Sequence, residues 1–182
     1  RFPPHNNCPV EVTAFCRFHG IAQQPRASVV VVDTIGEGGG VYSRMLELAT
    51  EKDHGWLKDK AHSCKFSEAA TDDGGNPLKD TGNVYEFLNM RAWAYWAVRD
   101  WLDPSRNSKA MLPVDEQLYQ ELSETQWKFN SKGIIQIEAK EDIKKRIKRS
   151  PDKADALANT FWPIQDIHIS KQKKRNIGQF FH

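Results

Sequence analysis

The spacing of apolar residues changes period several times along the chain, and each change marks an element. In residues 10–18, Val10, Val12, Ala14 and Cys16 alternate with Glu11, Thr13 and Arg17, the pattern of a half-buried strand. Residues 28–32 form a solid valine run, which predicts a strand buried on both faces near the middle of a sheet. Asp33 follows at once, then a glycine-rich stretch over 36–40. Val41, Met45, Leu46 and Leu48 then recur at helical spacing within a helix over 41–50. The unit reads as strand, glycine loop, helix.

Lys65 and Phe66 lie in a short strand, and residues 71–82 read as a loop containing Asp72, Asp73, Gly74, Gly75, Asn76 and Pro77. The longest helical signal covers 84–102, with Phe87, Trp93, Trp96 and Trp101 along it and Asp103-Pro104 ending it. Tryptophans at helical spacing are packing residues before they are a base-stacking platform. A short helix over 113–124 precedes a hairpin of 126–130 and 133–138 turned by Ser131-Lys132-Gly133. A basic helix over 140–149 follows. A last helix opens at Ser150-Pro151-Asp152, with Ser150 as N-cap and Pro151 in the first helical position, and Pro163 stops it after Trp162. Residues 167–182 read as a polar tail with Phe180 and Phe181 near its end. Strands mixed with helices in this order predict an α/β domain with a mixed sheet.

Composition narrows the class. A chain of 182 residues is about one domain, and 39% hydrophobic residues suffice for a core. No apolar run reaches the roughly 18 residues of a membrane helix, so no membrane partner is expected, and residues 1–7 lack a secretory apolar core. Three cysteines, Cys8, Cys16 and Cys64, without paired spacing argue against a disulfide framework or zinc ribbon and for a reducing compartment. The formal charge is only +2, but Lys140, Lys144, Lys145, Arg146, Lys148 and Arg149 cluster, as do Lys171, Lys173, Lys174 and Arg175. Such clusters bind phosphate backbone or are simply solvated surfaces.

Three aspartates carry the candidate chemistry. Asp33 ends a buried strand, where open α/β sheets bind ligands and where a rigid element fixes a carboxylate for metal coordination; capping the next turn is the plainer alternative. Asp152 and Asp155, three apart, share a face in the first turns of the last helix, although acids at a helix start are also ordinary. One strand-borne and two helix-borne carboxylates suit hard Mg²⁺ or Mn²⁺. Two such ions about 3.5–4 Å apart activate a water and stabilise the leaving oxygen in phosphodiester cleavage. Lys140, Lys144, Lys145, Arg146 and Arg149, just before Asp152, are placed to hold a DNA backbone nearby. The histidines have no zinc spacing. A nucleotide-binding domain built on the 36–40 loop is a weaker alternative, since no Gly-Lys-Ser/Thr follows and the glycines fit Gly-x-Gly-x-x-Gly poorly.

These pieces resemble, in order, the C-terminal nuclease domain of phage terminase large subunits. The resemblance runs through the stretch from Val29 to Val41, then Phe87-Leu88-Asn89-Met90-Arg91-Ala92, Ile135 to Glu141, Lys145-Arg146, and Ser150-Pro151-Asp152-Lys153-Ala154-Asp155-Ala156-Leu157, the most specific segment. It implies an RNase H-like α/β fold, a mixed central sheet flanked by helices, over 1–166, with a basic tail over 167–182. It also implies a Mg²⁺- or Mn²⁺-dependent endonuclease that cuts concatemeric viral DNA during packaging. Double-stranded DNA, the portal protein and the small terminase subunit would be its partners, in the host cytoplasm at the procapsid portal. Asp33 matches the family's second acid, Asp152 its last, and Asp155 a nearby acid; Asn89, Arg91 and Lys140 match structural or DNA-facing positions. The family's first acid has no counterpart, and Arg1-Phe2 resembles the residues just after it. Glu37 stands where a small apolar residue is usual, and no Walker A motif occurs. The missing acid motivates the alternative of a non-catalytic DNA-binding or docking module.

Overall fold

The computed structural model describes residues 29–36, 38–58, 60–72, 74–106 and 110–163. The strand expected over 10–18, the tail over 167–182, and Cys8, Cys16 and Glu37 lie outside the described residues.

The valine run forms β1 (Val30–Asp33) and the glycine stretch leads into α1 (Gly38–Leu48). The helix starts on the glycines themselves, three residues before the expected onset. Gly38 is required there: a Cβ on it would stand 1.8 Å from the Asp33 carbonyl oxygen. Val41, Met45 and Leu48 form the half-buried stripe of α1, which packs on β1 and β2 (Ala61–Cys64). β2 pairs with β1 in parallel, Asp33 opposite Cys64, so β1, α1 and β2 make one crossover unit. Among the described residues β1 has a partner on one edge and is half-buried throughout, not enclosed on both faces. The short strand falls on Ala61–Cys64 rather than at Lys65-Phe66.

The long helix begins later than its apolar pattern predicts. Here α2 spans Met90–Leu102, and Asn89 caps it by accepting from the Ala92 N–H at 3.0 Å. The preceding residues are extended. Phe87 bridges Ile135 in parallel, and Ile135 N–H donates to the Glu86 carbonyl at 2.9 Å. Next come α3 (Glu116–Glu124), capped by Asp115, and the antiparallel hairpin β3 (Trp127–Phe129) and β4 (Ile135–Ile137). The chain continues through α4 (Lys140–Ile147), closed by Lys148 in the left-handed region, and α5 (Asp152–Asn159).

Helix α5 is central: it packs against α2, α3 and β1. Its fully buried Ala154 and Ala158, with Ala94 of α2, let the helices approach closely around Phe66, Tyr95, Val98, Leu118 and Leu157. A second cluster joins Ala70, Phe87, Met90, Ala92, Trp96 and Ile135. The tryptophans of α2 are packing residues. Trp96 is buried and meets Trp127 edge-to-face at 5.1 Å between centroids, while Trp93 and Trp101 pack partly buried against the core.

Candidate active site

Asp33 closes β1. Its Oδ1 accepts the Ile35 N–H at 3.2 Å, so the carboxylate does cap the following turn, as the plainer reading of a strand-end aspartate expects. Its orientation follows from register. Residues paired across adjacent strands project to the same face, so Asp33 shares a face with Cys64. The Cys64 thiol is buried and donates to Asn159 Oδ1 of α5 at 3.3 Å. Burial, then the nearby negative charges of Asp33 and Glu68, push that thiol up to about 12, so it stays neutral. The strand-end acid and the inner face of α5 therefore meet across Cys64.

On α5, Asp152, Asp155 and Asn159 fall on one face at spacings of three and four. Asn159 lies next to the strand ends. At about 1.5 Å rise per residue, Asp155 is about 6 Å back along the helix and Asp152 about 10 Å. The two acids also differ in environment, because Asp152 is exposed and Asp155 is buried. Tyr95 donates its hydroxyl to Asp155 Oδ1 at 2.7 Å, and Arg91 Nε donates to the same oxygen at 3.3 Å. Lys140 Nζ stands 2.6 Å from Oδ2 as an ion pair, although that oxygen receives no well-aligned hydrogen bond. Arg91 also donates to the Glu138 carbonyl at 2.8 Å and stacks over the Tyr95 ring, which locks the fork. Burial, and next the charge on Asp155, raise the Tyr95 phenol well above its ordinary range, so it remains a donor.

The basic residues from Lys140 to Arg149 divide. Lys140 faces Asp155, as above. Lys144 and Lys145 are exposed, with Lys145 paired to Asp142 at 2.9 Å. Arg146 is committed to Glu124 and Glu138, and Arg149 to Glu121 and the Gln117 carbonyl, so these two guanidinium groups are spent on internal bridges. The start of α5 also differs from expectation. Pro151 occupies the cap position, no side chain of the cap bonds the helix, and Ser150 does not cap it. Glu121 of α3 does so instead.

Carboxylate oxygens are the hard donors a divalent cation takes. Asp155 Oδ2 is a buried carboxylate oxygen without an aligned donor, with Lys140 Nζ 2.6 Å away, and Asp33 carries its carboxylate at the strand end. Among the described residues no three His, Cys, Asp or Glu form a metal-holding group. Magnesium commonly binds through one or two carboxylates, with waters and substrate phosphate completing its shell. A cleft of about 530 Å³ next to β2 carries Ser63, Glu68 and Asp72. A larger cleft, about 740 Å³, lies between α2, α3 and the hairpin; it is apolar and holds neither Asp33 nor Asp155.

Glu68, Tyr95, Glu121 and Asn159 are absent from the sequence expectation. Glu121 did leave a signal: a glutamate on the same helical face as Leu118 and Leu122.

No protein-family model matches the chain, and no curated protein matches it in sequence. Solved structures do. The nuclease domain of the large terminase subunit gp2 of bacterial virus Sf6 superposes with a TM-score of 0.50 at 25% identity, over 76% of this chain and 66% of that one. A point mutant of that domain with manganese and beta-thujaplicinol gives a TM-score of 0.54 at 25% identity, over the same shares. A mutant with calcium gives 0.51 at 24% identity, over 75% and 66%. The chain thus spans about two thirds of the length of these domains. The fold is mixed α/β of the RNase H-like class, similar to terminase nuclease domains. No helix among the described residues is long and apolar enough to cross a membrane.

Proposed function

We propose that this chain is a terminase-type nuclease domain that cuts concatemeric viral DNA during genome packaging, with Asp33 and Asp155 as its principal metal-holding acids. The observation that carries this reading is Asp155: a buried carboxylate, oriented by Tyr95, Arg91 and Lys140, on the helix face that meets the strand bearing Asp33. Its fold neighbours are nuclease domains, some of them solved with manganese or calcium.

Within this reading the chain's own groups have distinct tasks. Asp33 and Asp155 offer oxygens to Mg²⁺ or Mn²⁺. Bound there, the cations supply Lewis-acid activation of water and neutralise charge on the leaving oxygen. Tyr95 and Arg91 hold Asp155 in one rotamer, the supporting shell a metal site needs. Asp152, exposed and a turn farther from the strand ends, is an outer acid on the solvent side. Lys140, Lys144 and Lys145 present positive charge to the phosphates of double-stranded DNA. Arg146 and Arg149 act from within, bracing the corner that carries α4 and α5. The portal protein and small terminase subunit are the proposed partners, and the host cytoplasm at the procapsid portal the proposed location.

Nicking of supercoiled plasmid with Mn²⁺ tests the assignment. Asp33→Asn and Asp155→Asn abolish nicking, whereas Asp152→Asn retains part of it. Equal nicking by Asp155→Asn and the parent chain would overturn it. A second reading, a non-catalytic DNA-binding module, is favoured by the lack of a three-acid group among the described residues. It predicts salt-sensitive DNA binding and no metal-dependent cleavage.

A further inference from the structure

We propose that Glu121 of α3 is a positioning residue for the acidic face of α5, fixing the first turn of that helix and through it the direction of Asp155. The proposal rests on the nuclease reading above.

Helix α5 is two turns long, and a helix that short has little stability of its own. Its orientation comes from whatever holds its ends. Pro151 brings no N–H, and no local side chain caps the helix. Glu121 Oε2 reaches across from α3 and accepts from the Lys153 and Ala154 N–H groups, at 2.8 and 2.9 Å. Its other oxygen accepts from Gln117 Nε2 at 2.8 Å and Arg149 Nε at 3.3 Å. The side chain is wholly buried, and its carboxylate accepts from four donors.

A serine at position 151 could cap this turn locally without burying a charge. Importing the cap from α3 does something a local cap cannot: it ties the rotation of the α5 first turn to a second helix. Asp155 sits immediately after the two captured amides, and its own N–H makes the bond to the Pro151 carbonyl at 2.9 Å. Asp115, the cap of α3, also pairs with Lys153, so α3 and α5 are joined at two points. A turn of α5 about its axis would break these bonds and swing Asp155 away from Tyr95 and Arg91.

The test uses the full chain with Glu121→Gln, Glu121→Leu, Asp155→Asn and, as a packing control, Leu118→Ala. Three quantities are read: hydrogen exchange of the Lys153 and Ala154 amides, Mn²⁺ affinity by calorimetry, and the Mn²⁺ concentration giving half-maximal nicking. Both Glu121 variants are expected to exchange faster at those amides. Glu121→Leu weakens Mn²⁺ binding by about tenfold or more, the usual effect of losing a group that supports metal ligands. Glu121→Gln, which keeps one acceptor oxygen, falls between it and the parent. Leu118→Ala lowers the melting temperature and leaves the Mn²⁺ requirement unchanged. Should Glu121→Leu not fold, Glu121→Gln alone carries the test. If folded Glu121 variants bind and use Mn²⁺ as the parent does while Asp155→Asn does not, the positioning role is wrong and the nuclease reading stands. If Asp155→Asn also matches the parent in both, the nuclease reading and this proposal fall together.

Discussion

Cys64 separates the strand-end aspartate from α5, and its thiol makes the site's neighbourhood sensitive to alkali. The group ionises ordinarily near 9.0 and in the fold near 12. The native state therefore holds the proton more tightly than the unfolded chain. This stabilisation is complete below pH 9.0 and is lost as pH rises through the window up to about 12. Tyr95, raised by burial and by Asp155, adds a loss of the same sign at higher pH. Urea unfolding midpoints should fall steadily above about pH 9. Cys64→Ala should flatten the first part of that fall, at some cost in stability at neutral pH. A midpoint that stays level in the parent chain through this range would contradict the burial assigned to Cys64. By sequence, Asp152, matched to the family's last acid, ranks ahead of Asp155, a nearby acid. The two differ by one helical turn, and the contact of Cys64 with Asn159 tells which end of α5 faces the strand.

At the scale of elements, the junction of β1 and α1 and the helix α4 give separable tests. A methyl group on Gly38 meets the Asp33 carbonyl, so Gly38→Ala must push apart the strand end and the helix start. A cost of about 1–3 kcal/mol is expected, with weaker Mn²⁺ binding because the displaced residue is Asp33. Gly40 has nothing within 4 Å of such a methyl, so Gly40→Ala should be neutral or stabilising in the same urea titration. On α4, Lys144→Ala should weaken DNA binding and lower the salt dependence of log K by about one, read by fluorescence anisotropy across ionic strength. Arg146→Ala should leave that slope unchanged and lower the urea midpoint, since Arg146 is engaged by Glu124 and Glu138.

Those elements also mark what could be read from the chain. The valine strand, the hairpin and the existence of the last two helices follow from periodicity and turn residues, whereas the cap expected for α5 at Ser150 is supplied by Glu121 of α3. The onset of α2 did not, because Val84 to Leu88 are as apolar as the helix itself. Pairing outside the segment draws them out of the helix: Glu86 bridges Lys79, and Phe87 and the neighbouring amides pair with Ile135, far along the chain. The strand Ala61–Cys64 lacks a β-branched or aromatic signal and is defined by pairing with β1. Glu121 shares a helical face with Leu118 and Leu122, but what it caps is not legible, since its partners lie more than 25 residues away, apart from Gln117.

For the whole molecule, the sign of the stability change at Asp155 distinguishes two kinds of metal site. In a site built from crowded carboxylates, removing one acid relieves repulsion and stabilises the metal-free protein. Here Asp155 already faces Arg91 and Lys140 and accepts from Tyr95, with no other acid among those partners. Removing its charge leaves a buried guanidinium and an ammonium beside each other without their counter-ion. Without Mn²⁺, Asp155→Asn should therefore be less stable than the parent by at least about 1 kcal/mol, because loss of a charged partner in a buried network costs that or more. Added Mn²⁺ binds only the folded chain and should stabilise the parent by about 2.7 kcal/mol at a hundred times its dissociation constant. Asp155→Asn should lose most of that increment. Thermal or urea unfolding of the two proteins with and without Mn²⁺ reads both terms. A metal-free Asp155→Asn chain more stable than the parent would mean that Arg91, Tyr95 and Lys140 do not hold the carboxylate as described.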